Sequence, residues 1–166
     1  MWYESKVFAV VIGALLGFLL SFIPSRFERR RERKTLEHAL LAEVDRVVTY
    51  LADRRGTYVR YRGMVAEGGR LGVYTTDRSF DTVYRANVGK ITALDDDMVK
   101  PLVEFYDGVN EFSGRIRALS VSLDKFNTGA DCLTNTDFFV KSLDKLVEVI
   151  DRTIERGNKL REFRAA

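Results

Sequence analysis

Few of the side chains that usually perform catalysis occur in this sequence. Its 166 residues include one histidine, His38, and one cysteine, Cys132, which lies in a predicted loop far along the chain from that histidine. The chain has no phosphate-binding glycine loop, no serine-nucleophile elbow and no zinc-binding pair of histidines. We therefore predict that the protein is not an enzyme, that it binds no metal or cofactor, and that Cys132 is an unreactive thiol.

Three consecutive acidic residues, Asp95, Asp96 and Asp97, are the best candidate for a divalent metal site. Consecutive residues at a helix start point in different directions, and the triplet lacks the ligand spacing of a calcium-binding loop. Acidic residues at the first turn stabilise the positive end of the helix dipole. The triplet therefore predicts a helix N-terminus.

A stretch in the first half of the chain interleaves cations with aromatic rings, as the grooves that bind single-stranded nucleic acid do. Its residues are Arg54, Arg55, Tyr58, Arg60, Tyr61 and Arg62. Such a pattern also fits a solvated helix face. Because the basic excess is concentrated between Arg26 and Arg70 and not spread over the whole chain, we predict no nucleic-acid partner.

The chain opens with an apolar run over residues 7–23, interrupted only by Ser21 and ended by Pro24. A helix of that length spans roughly 25 Å, and Trp2, Tyr3 and the stem of Lys6 can complete a bilayer core of about 30 Å. A cleavable signal peptide fits less well, since no small-x-small cleavage site follows the run. Residues 1–24 are therefore predicted to form a transmembrane anchor.

A basic cluster follows the run directly and predicts both a lipid contact and an orientation. It consists of Arg26, Arg29, Arg30, Arg31, Arg33 and Lys34. Cations beside a membrane helix bind anionic headgroups and keep their flank in the cytoplasm. The N-terminus is thus predicted to lie outside and residues 25–166 to form one cytoplasmic helical domain.

Small residues recur at every fourth position of the run, at Ala9, Gly13, Gly17 and Ser21. On a helix they form one stripe, along which two backbones can approach closely, as in the G-x-x-x-G motif. The stripe predicts packing against another membrane helix. That helix would belong to a second copy in a homo-oligomer or to another membrane protein.

The remaining residues carry helical periodicity. Pro24, Ser25 and Glu28 predict a helix stop and a capped restart. The restarted helix should run to about Ala66, with a hairpin pairing residues 58–62 with 71–75 as the alternative. A short helix with Phe80, Val83 and Tyr84 follows, which Ser79 could cap.

Two further amphipathic helices complete the predicted fold. One begins at the aspartate triplet and is ended by Asn127, Gly129 and Asp131, and the last is restarted by Thr134 and Asp137. The fold class is therefore all-α, a transmembrane helix followed by an antiparallel up-down-up three-helix bundle with one short extra helix covering one end. Surplus apolar and aromatic positions fit either a second interface or a wide core: Leu41, Val48, Tyr58, Tyr61 and Tyr106.

Residues 83–91, then Leu94 and Asp95, and residues 103–106 carry a resemblance to a known group. Together with the anchor and its arginine flank, they resemble a loosely defined group of uncharacterised small bacterial and prophage single-pass membrane proteins. In that group a Tyr-x-x-Asn element, here Tyr84 and Asn87, precedes an apolar turn and a helix with a Phe-Tyr pair. The resemblance implies the bacterial inner membrane and an anchor-plus-helices layout, but no activity.

These observations predict a non-enzymatic membrane-anchored helical interaction or assembly protein that self-associates. The alternative is a phage-related membrane effector, such as an exclusion or lysis-accessory protein, whose oligomerising anchor perturbs the bilayer. An enzyme with an unfamiliar site would need clustered acidic residues or a buried Arg-Tyr pair, which sequence alone does not reveal.

Overall fold

A computed structural model describes the backbone of residues 2–68, 80–127 and 136–163, and the side chains of residues 27–68, 80–123 and 136–163. The chain forms two compact units, residues 1–38 and residues 39–166. The first is helical throughout its described part. The second contains the hydrophobic core, and the contacts below lie within it. The domain boundary expected after residue 24, between the membrane anchor and the remaining residues, stays a prediction.

Every regular element of the described residues is helical. Helix α1 comprises Trp2–Ala66, α2 comprises Thr82–Asn87, α3 comprises Asp96–Asn127 and α4 comprises Thr136–Glu162, with a 3-10 helix at Val88–Ala93 between α2 and α3. The all-α fold class is confirmed. The alternative prediction, a hairpin, is wrong, because residues 58–62, its first strand, belong to helix α1. Residues 71–75, its second strand, lie outside the described residues.

The predicted helix break at Pro24 is not observed. Helix α1 runs through Pro24 and Ser25 without interruption. A proline removes one backbone hydrogen bond and strains its own turn, but its backbone angle is compatible with a helix. A helix with many further turns on both sides tolerates that cost, so Ser25 caps nothing.

The ends of the later helices agree with the sequence signals. Asp96 and Asp97 occupy the first turn of α3, and the carbonyl oxygen of Asp95 accepts hydrogen bonds from the amides of Met98 (2.9 Å) and Val99 (3.1 Å). Helix α3 runs to Asn127, the first of the three residues expected to end it, and Asp137 lies in the first turn of α4. Thr134 lies outside the described residues.

The core of the second unit is built from the apolar stripes of α1, α3 and α4. Each stripe repeats every three to four residues, the spacing that brings side chains onto one face of a helix. The apolar stripe of α3 is buried at Leu102, Phe105, Val109, Phe112, Ile116, Leu119 and Leu123. Leu143, Leu146 and Ile150 of α4 are buried as well.

Helix α4 runs antiparallel to both α1 and α3. Arg55 of α1 pairs with Asp151 through two hydrogen bonds of 2.5 and 2.9 Å, and Arg161 near the end of α4 lies 2.6 Å from Asp45 near the start of the core. On α3, Glu111 binds Arg152 at 2.5 Å.

Helices α1 and α3 run parallel, contrary to the expected up-down-up order. Tyr106 of α3 lies beside Glu43 of α1, and further along both helices Phe112 lies beside Tyr58, with ring centroids 6.2 Å apart. Consecutive long helices of this bundle therefore do not alternate in direction. The chain must return along the bundle between the end of α1 and the start of α3.

Residues 80–95, here called the return segment, make that connection along the side of the bundle. The Phe80 ring packs on Tyr50 and Phe112, with centroids 4.8 and 6.2 Å away, and α2 then lies beside Glu43. The segment thus runs opposite to α1, passing Tyr50 before Glu43. The short helix was expected to cover one end, but it packs against the side because Glu43 and Tyr106 bind it there.

The surplus positions belong to a wide core. Leu41 and Val48 are 3 % exposed and Tyr106 is fully buried, while Tyr58 and Tyr61 are half-buried. The core face of α1 is wide because α3, α4 and the return segment all cover it. Helices approach closely at Gly157, where an added Cβ would meet Val48 and lie 2.9 Å from Phe105 Cε2.

Candidate functional site

Glu43 is the most unusual side chain of the core, because it is a carboxylate only 4 % exposed on the apolar face of α1. Its Oε1 accepts a hydrogen bond from the amide of Val83 at 2.9 Å, and its Oε2 accepts one from the amide of Tyr84 at 3.1 Å. The Tyr106 hydroxyl donates to the same Oε2 at 2.7 Å. Arg46, largely exposed, adds an ion pair at 3.5 Å.

The two amides belong to the first turn of α2, whose N–H groups have no partners within their own helix. Asp81 stands at the N-cap position but makes no capping hydrogen bond through its side chain. Glu43 therefore caps α2 from a different helix. A carboxylate is well suited to this role, since it also lies at the positive end of the helix dipole.

Aromatic rings enclose this carboxylate. Tyr84 stacks on Tyr106 with centroids 4.0 Å apart and planes 19° apart, and Phe105 packs edge-on against Tyr106 at 5.1 Å. Burial, followed by the hydrogen bond to Glu43, raises the pKa of Tyr106 well above its usual value. Tyr106 thus stays protonated and donates to Glu43.

A second acidic residue, Asp81, is buried at the same place. Its Oδ2 accepts a hydrogen bond of 2.5 Å from Nε of Arg85, one turn further along. Asn87 closes α2 by donating from its amide nitrogen to the Val83 carbonyl at 2.9 Å. This bond joins the Asn87 side chain to the preceding turn of α2.

The contacts of Glu43 and Tyr106 with α2 fix the position of the return segment. Both oxygens of the carboxylate are engaged, and a satisfied buried network specifies one arrangement of its elements. Sequence reasoning missed Glu43. A signal was present, because Glu43 interrupts the apolar stripe of Leu40, Val44 and Val47, where a charge requires partners.

The stretch of α1 that interleaves arginines with tyrosines joins α1 to both α4 and α3. Arg55 pairs with Asp151, Arg62 pairs with Asp144, and Tyr58 contacts Phe112. Arg54 lies 5.4 Å from the centre of the Tyr50 ring. The Arg55 hydrogen bond lowers the pKa of Asp151.

The other candidates for chemistry lie apart from Glu43 or outside the described residues. His38 is exposed, the aspartate triplet begins α3, and Cys132 lies outside the described residues. Within the described part of the chain, no group of three or more histidine, cysteine or acidic residues could hold a metal ion.

The predicted membrane residues belong to the first unit. The stripe Ala9, Gly13, Gly17 and Ser21, like the whole run of residues 7–23 and Arg26, lies outside the residues with described side chains. In the basic flank, Arg29, Arg30, Arg31 and Lys34 are exposed and Arg33 is half-buried. A search confined to the described residues found no helix long and apolar enough to cross a membrane.

Comparison with known proteins gives no relative for this arrangement. No family model matches the chain, and searches of curated proteins and of solved structures found no similar protein. The resemblance to small bacterial and prophage membrane proteins therefore remains a prediction.

Proposed function

We propose that this chain is a non-enzymatic membrane-anchored helical protein that self-associates and holds a membrane assembly together or docks a partner. The observation that carries the proposal is the apolar run of residues 7–23 followed at once by a row of exposed cations. The proposed anchor crosses the bacterial inner membrane, with the N-terminus outside and the bundle in the cytoplasm.

The composition of the flank supports a lipid contact. Phe27, 63 % exposed, lies among the arginines, and an apolar ring beside cationic side chains suits the headgroup region. Each cation near an anionic surface adds about 1 kcal/mol to binding. Arg26, Arg29, Arg30, Arg31, Arg33 and Lys34 are therefore proposed to bind lipid headgroups.

The residues of the bundle support an interaction role over catalysis. Each oxygen of the buried Glu43 carboxylate accepts a hydrogen bond that holds α2, and two arginines of α1, Arg55 and Arg62, pair with acids of α4. An unfamiliar active site would need polar groups of this kind to contact a substrate. Here they bind one another or the backbone, and these contacts stabilise the fold.

Membrane extraction and cross-linking test this proposal. Full-length protein should stay in the membrane fraction after an alkaline carbonate wash and should cross-link as an oligomer. Gly13→Ile with Gly17→Ile should keep insertion but reduce cross-linking, since larger side chains separate the helices. Leu15→Ile with Leu19→Ile, on another face of the run, is the matched control. Release by the wash would contradict the anchor, an absence of cross-linked oligomer from the unaltered protein would contradict self-association, and undiminished cross-linking of the glycine variant would exclude the small-residue stripe as the interface.

The small-residue stripe also favours the phage-related effector as a second candidate. Such an effector would depolarise cells through its oligomerising anchor, whereas an assembly protein would not. Induced expression with a membrane-potential dye separates the two, because depolarisation that is lost in the Gly13→Ile, Gly17→Ile variant would identify the effector.

A further inference from the structure

Beyond the apolar run, one side of α1 carries an exposed aromatic ring and three exposed cations. Phe27, Arg30, Arg31 and Lys34 occupy positions i, i+3, i+4 and i+7, which share one side of a helix. The Phe27 ring is 63 % exposed, and each of the three cations is exposed as well. These four residues, here called the Phe27 face, lie within the first compact unit.

The opposite side of the same stretch is less accessible. Leu36, which is buried, follows Phe27 by about two and a half turns and therefore lies across the helix from it. Arg29 and Arg33 precede Leu36 at helical spacing and share its side. Arg33 is half-buried and already interacts within the chain. The Phe27 face is therefore the side of this stretch that is open to a ligand.

Ion pairs within the described residues do not neutralise the cations of the Phe27 face. Arg30, Arg31 and Lys34 make no ion pair with another described residue. Glu28 and Glu32 belong to the same turns but do not pair with them. Both arginines lie three or four residues before Lys34, the spacing at which side chains of a helix are neighbours. Like charges at this spacing destabilise a helix, and a bound anion removes that cost.

We propose that the Phe27 face binds a phospholipid whose headgroup carries two phosphate groups. Such binding deepens the lipid contact of the proposed function and rests on it. A phosphodiester carries one negative charge, so a headgroup with two of them matches three clustered cations more closely than a headgroup with one. Arginine also donates paired hydrogen bonds to phosphate oxygens. Arg30 and Arg31 can each hold one phosphate, with Lys34 beside both.

The exposed ring distinguishes a lipid from a soluble diphosphate. Phe27 follows Ile23, the last residue of the apolar run, by about one helical turn. In the proposed orientation this is the depth of the headgroups, where an aromatic ring packs along acyl chains while neighbouring cations reach phosphate. A soluble diphosphate would leave the ring in water. A lipid with two phosphates engages the ring and the cations together.

Lipid binding to full-length protein purified in detergent tests the site. Cardiolipin, which carries two phosphates, and phosphatidylglycerol, which carries one, are added at equal phosphate concentration, and native mass spectrometry measures the bound lipid. Cardiolipin should bind about fivefold more, because one further phosphate contacts a cation. Equal binding of the two lipids would overturn the proposal.

Charge removal on the two sides of the helix separates this site from a general attraction to anionic lipid. Arg30→Gln with Arg31→Gln should lower cardiolipin binding at least about tenfold and abolish its preference over phosphatidylglycerol. Arg29→Gln with Arg33→Gln removes the same charge and should weaken the binding of both lipids alike, so the preference persists. Loss of the preference in the second variant as well would overturn the assignment to the Phe27 face.

Further comparisons test whether the ligand is a lipid. Phe27→Gln should lower cardiolipin binding, since the ring no longer packs on the acyl chains. Inorganic pyrophosphate should displace no more cardiolipin than sulfate does at equal ionic strength. Selective displacement by pyrophosphate, or unchanged binding in the Phe27 variant, would assign the site to a soluble diphosphate and overturn the proposal.

A matched charge control lies in α4. Lys141→Gln with Lys145→Gln removes two exposed cations far along the chain from the Phe27 face and should leave cardiolipin binding unchanged. A loss equal to that of the Arg30 and Arg31 variant would show that net charge alone governs binding, which would overturn the proposal.

An alkaline carbonate wash of cell membranes separates failure of this site from failure of the proposed function. Retained protein without a cardiolipin preference would reject the site and leave the anchor in place. Release of the unaltered protein would reject the anchor, and the lipid site that rests on it would be rejected as well.

Discussion

Glu43 shows how one buried charge can decide the course of a connecting segment. Its carboxylate replaces the side-chain cap that α2 lacks and also accepts a hydrogen bond from the Tyr106 hydroxyl. Since the desolvated charge has several donors, its cost of burial is offset. Removing the acceptor would leave the α2 amides without partners.

We predict that Glu43→Gln lowers the free energy of unfolding by about 1–3 kcal/mol, because the amide turns a donor toward backbone N–H groups. Amide hydrogen exchange at Val83 and Tyr84 should accelerate more than exchange in α3. The matched control is Glu148→Gln, an exposed glutamate of α4, which should change neither quantity. Unchanged exchange at Val83 in the Glu43 variant would contradict the capping role.

Tyr58 should make stability fall at alkaline pH. Burial raises its pKa to about 12, above the ordinary value of about 10. The unfolded chain loses this proton first, so the stability present below pH 10 declines as the pH rises toward 12.

Urea unfolding across that range should show a smaller decline for Tyr58→Phe than for the unaltered protein. Tyr106, whose pKa is also raised, should account for part of the decline that persists. An identical decline in both proteins would show that Tyr58 titrates alike in the folded and unfolded chains.

For single residues, the sequence predicts well which apolar side chains are buried, but it does not predict the hydrogen-bond partners of a buried polar side chain. Phe112, Ile116 and Leu119 follow a helical period, and each is buried as that period requires. The two backbone amides and the tyrosine hydroxyl that bind Glu43 lie 40, 41 and 63 residues away in the chain. No local sequence pattern specifies such pairs, because only the tertiary fold brings these groups to Glu43.

At the scale of the elements, the buried stripe that α3 contributes to its seam with α4 can be tested by substitution. Leu119→Ala should reduce the free energy of unfolding by roughly 2–5 kcal/mol, because it removes a buried side chain and leaves a cavity. Val121→Ala, two residues away and 52 % exposed, should change it by less than about 0.5 kcal/mol. Thermal or urea unfolding measures both, and equal effects would contradict the assigned seam.

The direction of the elements was not predictable from the helix pattern. Short connections favour antiparallel neighbours, which is why the sequence suggested an up-down-up order. The connection after α1 instead includes the return segment, whose α2 has only six residues. So short an element gives almost no periodic signal, yet it carries the chain back along the bundle and makes α1 and α3 parallel.

At the scale of the whole molecule, orientation is the most direct prediction. A reporter fused after Ala166 should behave as cytoplasmic, because the basic flank retains that side of the anchor. Replacing Arg29, Arg30, Arg31, Arg33 and Lys34 by asparagine should weaken or invert this orientation. Alkaline phosphatase activity from the unaltered fusion would contradict it. A fusion with the same number of lysine-to-asparagine changes in α3 and α4 is the control.

The position of α4 has a consequence for synthesis on the ribosome. Arg55 and Asp151 are 96 residues apart in the chain, and α4 is the last described helix to emerge. Until then Val48 and its neighbours on α1 lack the cover that α4 provides, although α1 has long left the exit tunnel. A nascent chain of this protein therefore exposes that apolar face from the time α1 leaves the ribosome until α4 packs on it, and in this interval chaperones that bind apolar faces can recognise it.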